Sequence, residues 1–103
     1  MVQSKIVHVN ITFLNTESTD SLKNFGEEKV SNCLKKYVHH DTEVHLVLKV
    51  EKNRQIAEAS FNVDGGNFSC SEESDDLYTS IDKLVSSLSS QLRKHKEKLT
   101  KHH

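Results

Sequence analysis

At 103 residues, the chain has room for one small domain with a modest core, and not for two. A hydrophobic share of 34% beside a charged share of 28% suits a folded globular protein and excludes wholesale disorder. The net charge of −1 hides an asymmetry: residues 91–103 carry five Lys or Arg against the single Glu97, so the rest of the chain is acidic. A partner drawn by charge would meet one end of the molecule.

No apolar run approaches membrane-spanning length, and the N-terminus lacks the apolar segment of a signal peptide, so the expected compartment is the cytoplasm with no membrane partner. Cys33 and Cys70 show no CxxC or metal-ligand spacing and read as reduced, mostly buried thiols. His102 and His103 close the chain and carry no weight here.

Val7, Val9, Ile11 and Phe13 alternate with His8, Asn10 and Thr12, which predicts a half-buried first strand. Asn15 to Thr19 reads as a polar loop, with Ser18 or Thr19 as N-cap and Asp20 just inside a helix. The spacing of Leu22, Phe25, Val30, Cys33, Leu34 and Tyr37 carries that helix from Leu22 to Val38, although Gly26 weakens it by up to about 1 kcal/mol. Lys29 and Lys36, seven apart, share one flank.

After a loop from His39 to Thr42, Val44, Leu46, Leu48 and Val50 alternate as a second strand. Lys52 to Gln55 reads as a charged turn, and Ala57, Ala59, Phe61 and Val63 carry a third strand. Asp64-Gly65-Gly66-Asn67 is the best turn signal in the chain, because glycine permits the positive φ of tight hairpin turns. Phe68 and Cys70 make a short fourth strand.

The last third, Glu72 to Lys101, reads as one long amphipathic helix. Leu77, Ile81, Leu84, Leu88, Leu92, His95 and Leu99 recur every three or four residues. Glu72, Glu73, Asp75 and Asp76 would sit in its first turns, and Arg93, Lys94, Lys96, Lys98 and Lys101 in its last, as the helix dipole favours. At 100° per residue, Lys83, Ser87, Ser90, Lys94, Lys98 and Lys101 fall on one flank. Such a row suits a phosphate backbone, and a merely solvated face explains the same lysines.

The order β-α-β-β-β-α, with one apolar face on each strand, predicts an α+β two-layer sandwich. A four-stranded mixed sheet would carry both helices on one face. No catalytic constellation emerges. Gly65-Gly66 sits in a hairpin turn, the histidines lack ligand spacing, and Asp75-Asp76 is explained by a helix N-terminus. No cofactor, metal or small-molecule substrate is expected. Nucleic-acid binding has positive support: lysines on both helices, with Lys49, Lys52 and Arg54 around the first hairpin, would line one edge of the sandwich. Without an aromatic platform on the polar sheet face, contacts would go to phosphates and RNA shape. A general double-stranded RNA-binding module and a protein-interaction domain are the competing readings.

Several blocks carry a family resemblance in order: Val9-Asn10-Ile11-Thr12, Val47 to Lys52, Ala57-Glu58-Ala59, Val63 to Gly66, Asp76-Leu77-Tyr78, Ser80 to Leu84, and Gln91 to Leu99. The chain resembles the short-form bacterial ribosome hibernation promoting factors, relatives of the ribosome-associated inhibitor A proteins in the sigma-54 modulation protein family. The resemblance implies a non-enzymatic, single ribosome-binding domain over residues 1–103, with residues 100–103 as a flexible tail. It implies binding to the small ribosomal subunit in the messenger and transfer RNA channel, inhibition of translation in stationary phase or stress, and promotion of inactive ribosome dimers, with a second hibernation factor as a further partner. Carried over by position, the ribosomal RNA contacts are Lys83, Arg93, Lys94, Lys96 and Lys98, joined by Lys29 and Lys36. Ser87 and Ser90 depart from the family's pattern, which often places basic residues there.

Overall fold

The structure, a computed structural model, describes residues 6–38, 41–63 and 66–100, the last five by their backbone alone. The expected loop residues His39 and His40, the turn residues Asp64 and Gly65, and residues 101–103 of the expected tail lie outside the described residues, while Thr100 closes the last helix.

The elements are β1 (Val7–Leu14), α1 (Asp20–Lys35), β2 (Thr42–Glu51), β3 (Arg54–Val63), β4 (Gly66–Ser74) and α2 (Leu77–Thr100). They form one sheet in the order β1-β2-β3-β4, with β1 parallel to β2 and the other pairs antiparallel. Parallel pairing needs a crossover, and α1 supplies it. Strand alternation puts Val9, Val44, Leu46, Leu48, Ala57, Ala59, Phe61 and Val63 on one side of the sheet. Both helices pack there, adding Leu22, Val30, Leu34, Leu77, Ile81, Leu84, Leu88 and Leu92 to a single core. The other face is left open, which is the two-layer sandwich the alternation predicts.

Thr19 is the N-cap of α1, its hydroxyl accepting from the Leu22 amide at 3.1 Å. The helix ends at Lys35, three residues short of the expected Val38. Tyr37 and Val38 instead fold their amides back onto the Leu34 carbonyl, at 2.9 Å each, and Val38 stays in the core. Gly26 does more than weaken the helix. A Cβ there would stand 3.0 Å from Leu46 Cδ2 and 3.6 Å from Ile11 Cδ1, so its absence lets α1 close down onto β1 and β2.

Further boundaries differ from the periodicity reading, and β2 begins at Thr42, which spacing had left in the loop. The hairpin between β2 and β3 is a two-residue turn, Lys52-Asn53, with Lys52 at φ 56, and β3 starts at Arg54 because Arg54 pairs with Glu51. More consequentially, β4 does not stop near Cys70 but continues to Ser74, opposite Gln55. Glu72 and Glu73 therefore belong to a strand and not to the first turn of the last helix, which begins at Leu77 and has no carboxylate in that turn. The reason is the length of β3. Its ten residues offer a pairing edge that β4 follows to the end, and both carboxylates find partners: Glu73 with Arg54 on β3 and Glu72 with Ser87 on α2.

Cys33 is buried and Cys70 half-buried, and both thiols are free. Burial pushes both pKa values up, which favours the protonated thiols.

Candidate nucleic-acid interface

The basic end of the chain is positioned by α2, whose sides are each committed differently. Its apolar stripe, Leu77, Ile81, Leu84, Leu88 and Leu92, lies in the core. One flank meets α1: the Cys33 thiol donates to the Val85 carbonyl at 3.7 Å, and Tyr37 Oη lies 2.9 Å from Ser89 Oγ. The other flank lies over β4 and runs antiparallel to it. Ser80 meets Ser74 at 2.8 Å, Ser87 donates to Glu72 Oε2 at 2.6 Å, Gln91 donates to Cys70 Sγ at 3.6 Å, and His95 stands edge-on to Phe68 at 5.1 Å. Each turn of helix thus steps back along the strand towards Gly66. The helix is fixed on three sides, and its outer surface carries the exposed residues Asp82, Ser86, Ser90, Arg93 and Lys94.

Asp76 fixes where the helix starts. It stands at the N-cap, where its carboxylate accepts the Tyr78 amide at 2.9 Å and the Thr79 hydroxyl. The Thr79 bond, then the Tyr78 and Thr79 amides, hold its carboxyl below the usual aspartate range. A group depressed in the folded state contributes stability above its unfolded pKa, about 3.9, and that contribution is lost as pH falls through the lower folded value. Glu73 behaves alike through Arg54. Asp76→Ala should therefore lower the urea midpoint at pH 7 and flatten the acid limb of stability below about pH 4, whereas Asp76→Asn should keep more of the midpoint. Urea titrations from pH 2 to 7 check both.

The lysines named by periodicity divide into groups. Arg93 and Lys94 are exposed near the C-terminal end of α2. Arg93 lies against Tyr37: the Ser89 hydroxyl first, and Arg93 second, draw the phenol pKa down. Lys36, the C-cap residue of α1, adjoins Tyr37 and is exposed. The ends of both helices therefore bring Lys36, Arg93 and Lys94 to one end of the sandwich. Lys94 lies beside a shallow groove of about 270 Å³ with Phe68, Gln91 and His95. Lys96 and Lys98 continue the helix backbone past His95; their side chains, and Lys101 altogether, lie outside the described residues. Lys83 is farther back, its ammonium donating to the Glu73 carbonyl at 3.3 Å. Lys29 sits elsewhere on α1, 5.5 Å from the Phe25 ring, which itself meets Tyr78 near the start of α2.

The expectation that Lys49, Lys52 and Arg54 join the helix lysines along one edge holds for Arg54 and Lys83, which share Glu73, and is corrected for Arg93 and Lys94. The β2–β3 hairpin lies beside the end of β4 and the start of α2, at the opposite end of the sheet from Arg93. Lys49 and Arg54 also project from the open sheet face, where carboxylates on neighbouring strands meet them. Lys49 stands 3.1 Å from Glu58 and 3.7 Å from Glu51, and Arg54 Nε donates to Glu73 at 3.0 Å. These partners raise the pKa of both cations, Glu58 leading for Lys49 and Glu73 for Arg54. Lys52 is exposed at the hairpin tip.

Two features escaped the periodicity reading. The open sheet face is acidic, with Glu43, Glu51, Glu58 and Glu73 against Lys49 and Arg54, and the strand alternation already contained that signal. Ser87 is a hydrogen-bonded strut between α2 and β4, which no spacing reveals until β4 is extended to Glu72. Among the described residues, no three metal-ligating side chains converge, and no helix is long and apolar enough to cross a membrane.

Residues 9–100 match the profile of the family described as Sigma 54 modulation protein / S30EA ribosomal protein. The ribosome hibernation promoting factor of Klebsiella oxytoca is 42% identical over 96 residues, covering 93% of this chain and all of the relative. That of Escherichia coli K12 is 40% identical over the same span, and that of Azotobacter vinelandii is 38% identical over 89% of this chain and 85% of its own length. Among solved structures, the N-terminal domain of Thermus thermophilus Protein Y superposes with a TM-score of 0.76 at 25% identity, covering 85% of this chain and 98% of that one. A ribosomal subunit interface protein from Coxiella burnetii shares the fold, with a TM-score of 0.75 at 23% identity over 86% and 97% of the two chains. The match runs along nearly the whole chain and through every element of the sandwich, and the chain belongs to the Sigma 54 modulation protein / S30EA ribosomal protein family, alongside its ribosome hibernation promoting factors.

Proposed function

We propose that this protein is a cytoplasmic ribosome hibernation factor. It occupies the messenger and transfer RNA channel of the small ribosomal subunit, inhibits translation in stationary phase or stress, and promotes pairing of ribosomes into inactive dimers. Its action is occupancy, with no bond made or broken. The observation that carries this reading is the end of the sandwich where Arg93 and Lys94 stand exposed beside Lys36, on a chain whose relatives are named as hibernation promoting factors.

The physical logic is counterion replacement. Folded RNA holds a dense layer of small cations, and a protein that puts its own ammonium and guanidinium groups against the phosphates releases them. A chain with net charge −1 does this only if its cations are gathered on one surface and its carboxylates kept off it. Here Glu43, Glu51, Glu58 and Glu73 are on the open sheet face, and Asp82, on the outer surface of α2, stands about three turns of helix from Arg93. Phosphate contacts of this kind fix position and carry no base sequence, so shape selects the site.

Co-sedimentation with purified small subunits tests the proposal, with free double-stranded RNA as competitor. The chain should pellet with subunits at about 0.1 M salt and resist a large excess of duplex. Equal affinity for duplex would make it a general RNA-binding module, and no pelleting at any ionic strength would remove the ribosomal reading.

A further inference from the structure

The exposed edge of β1 is unlike the rest of the surface. Among the described residues, β1 pairs with β2 on one side only, so its outer edge carries backbone groups with no strand partner among them. The Thr42 amide donates to the Ile6 carbonyl at 3.0 Å, which turns the even-numbered residues towards β2. Alternation then leaves the N–H and C=O groups of Val7, Val9, Ile11 and Phe13 on the open side. The usual protections are missing. From Val7 to Leu14 there is no Lys, Arg, Asp, Glu or Pro, and the large apolar side chains of Ile6 and Leu14, 60% and 46% exposed, bracket the strand. The opposite edge strand, β4, carries Glu72 and Glu73 and has Lys83 on the Glu73 carbonyl.

Beside this edge, between β1 and α1, runs an open groove of about 490 Å³. It is walled by Val7 and Val9 on the strand and by Asn24, Glu27, Glu28 and Ser31 on the helix, with no Lys or Arg among its lining residues. A strand laid along β1 would place alternate side chains over this acidic wall and the others beside His8, Asn10 and Thr12.

We infer that the β1 edge is a second binding site, which takes an extended, Lys- or Arg-bearing peptide segment of a partner protein as a fifth strand. The backbone groups of Val7, Val9, Ile11 and Phe13 supply the ladder. Glu27 and Glu28 select cationic side chains at alternate positions, which distinguishes the occupant from an acidic or neutral strand. The site is at the far side of the sheet from β4 and α2, so it leaves Arg93 and Lys94 open.

The test uses the full chain and two synthetic eight-residue peptides, one alternating Lys and Thr, the other Glu and Thr, followed by amide hydrogen exchange in NMR spectra. The Lys peptide should slow exchange of the Val7, Val9, Ile11 and Phe13 amides, with the Glu peptide at least about tenfold weaker. Glu27→Lys with Glu28→Lys should reverse the preference. Should that pair disturb folding, Glu28→Lys alone, at an exposed position, should still reduce the discrimination. No added protection at those four amides, or equal protection by both peptides, overturns the inference. Protection that grows with protein concentration alone also overturns it, because the occupant would then be a second copy of this chain.

Discussion

Arg93→Glu combined with Lys94→Glu should weaken binding to the small subunit by about 100-fold, roughly tenfold for each lost charge-assisted contact. Both side chains are exposed on the outer surface of α2, so the fold is expected to survive the change. Reversal, and not just neutralisation, places carboxylates where phosphates would stand. It also sets a new Glu beside Tyr37, whose phenol Arg93 now helps to draw down. Lys52→Glu is the control. It changes net charge in the same direction but sits at the tip of the β2–β3 hairpin, at the other end of the sheet, and binding should fall by less than about threefold. Pelleting titrations with the three proteins separate a located interface from a general effect of charge. Losses that simply follow the charge altered, four units in the double variant against two in Lys52→Glu, would mean that only net charge matters.

Leu88→Ala should cost about 2–5 kcal/mol of stability, a large part of the roughly 5–15 kcal/mol that holds a domain of this size. Leu88 is 0% exposed and stands midway along α2, in the core that joins the helix to the sheet. Truncating it removes contacts from a closely packed layer and leaves a cavity that rigid neighbours such as Leu84 and Leu92 fill only in part. The consequence reaches function, because α2 carries the cations. Urea denaturation should show a lower midpoint at unchanged m, and binding at 37 °C should decline with the folded fraction. Ser90→Ala, two residues along but exposed, should move the midpoint little.

These two expectations draw on different layers of what the sequence made legible. The core stripe Leu77, Ile81, Leu84, Leu88 and Leu92 was readable from spacing alone, because burial on a helix recurs with the turn of the helix. Strand alternation was equally direct for β1, β2 and β3. The start of α2 was not. Glu72 and Glu73 look like ordinary first-turn carboxylates, and nothing local distinguishes a helix N-terminus from the end of a polar edge strand. That choice was made by pairing with a β3 long enough to receive them. An error of this kind propagates: with β4 cut short, Ser87 has no Glu72 to meet and reads as a missing cation.

The candidate interface was partly legible for the same reason. Arg93 and Lys94 follow from the helix wheel, which needs no tertiary information. Lys49 and Arg54 also looked available, because their neutralising partners are on other strands or across a hairpin turn, visible only once register is known. The convergence of Lys36 with Arg93 depends on the two helix ends lying side by side, with Tyr37 against Ser89 and Arg93, which neither helix wheel shows alone. Positions of single cations can be read from a helix; their grouping is a property of the packed sheet.

The salt dependence of binding to the small subunit tests the central claim most directly. If cations at the end of α2 replace counterions on ribosomal RNA, a plot of log affinity against log salt should be linear and negative, with a slope of roughly one unit per phosphate contact. The wild-type slope should exceed that of Arg93→Glu/Lys94→Glu by about two units, one for each lost contact. A slope near zero, or the same slope for both proteins, would contradict it.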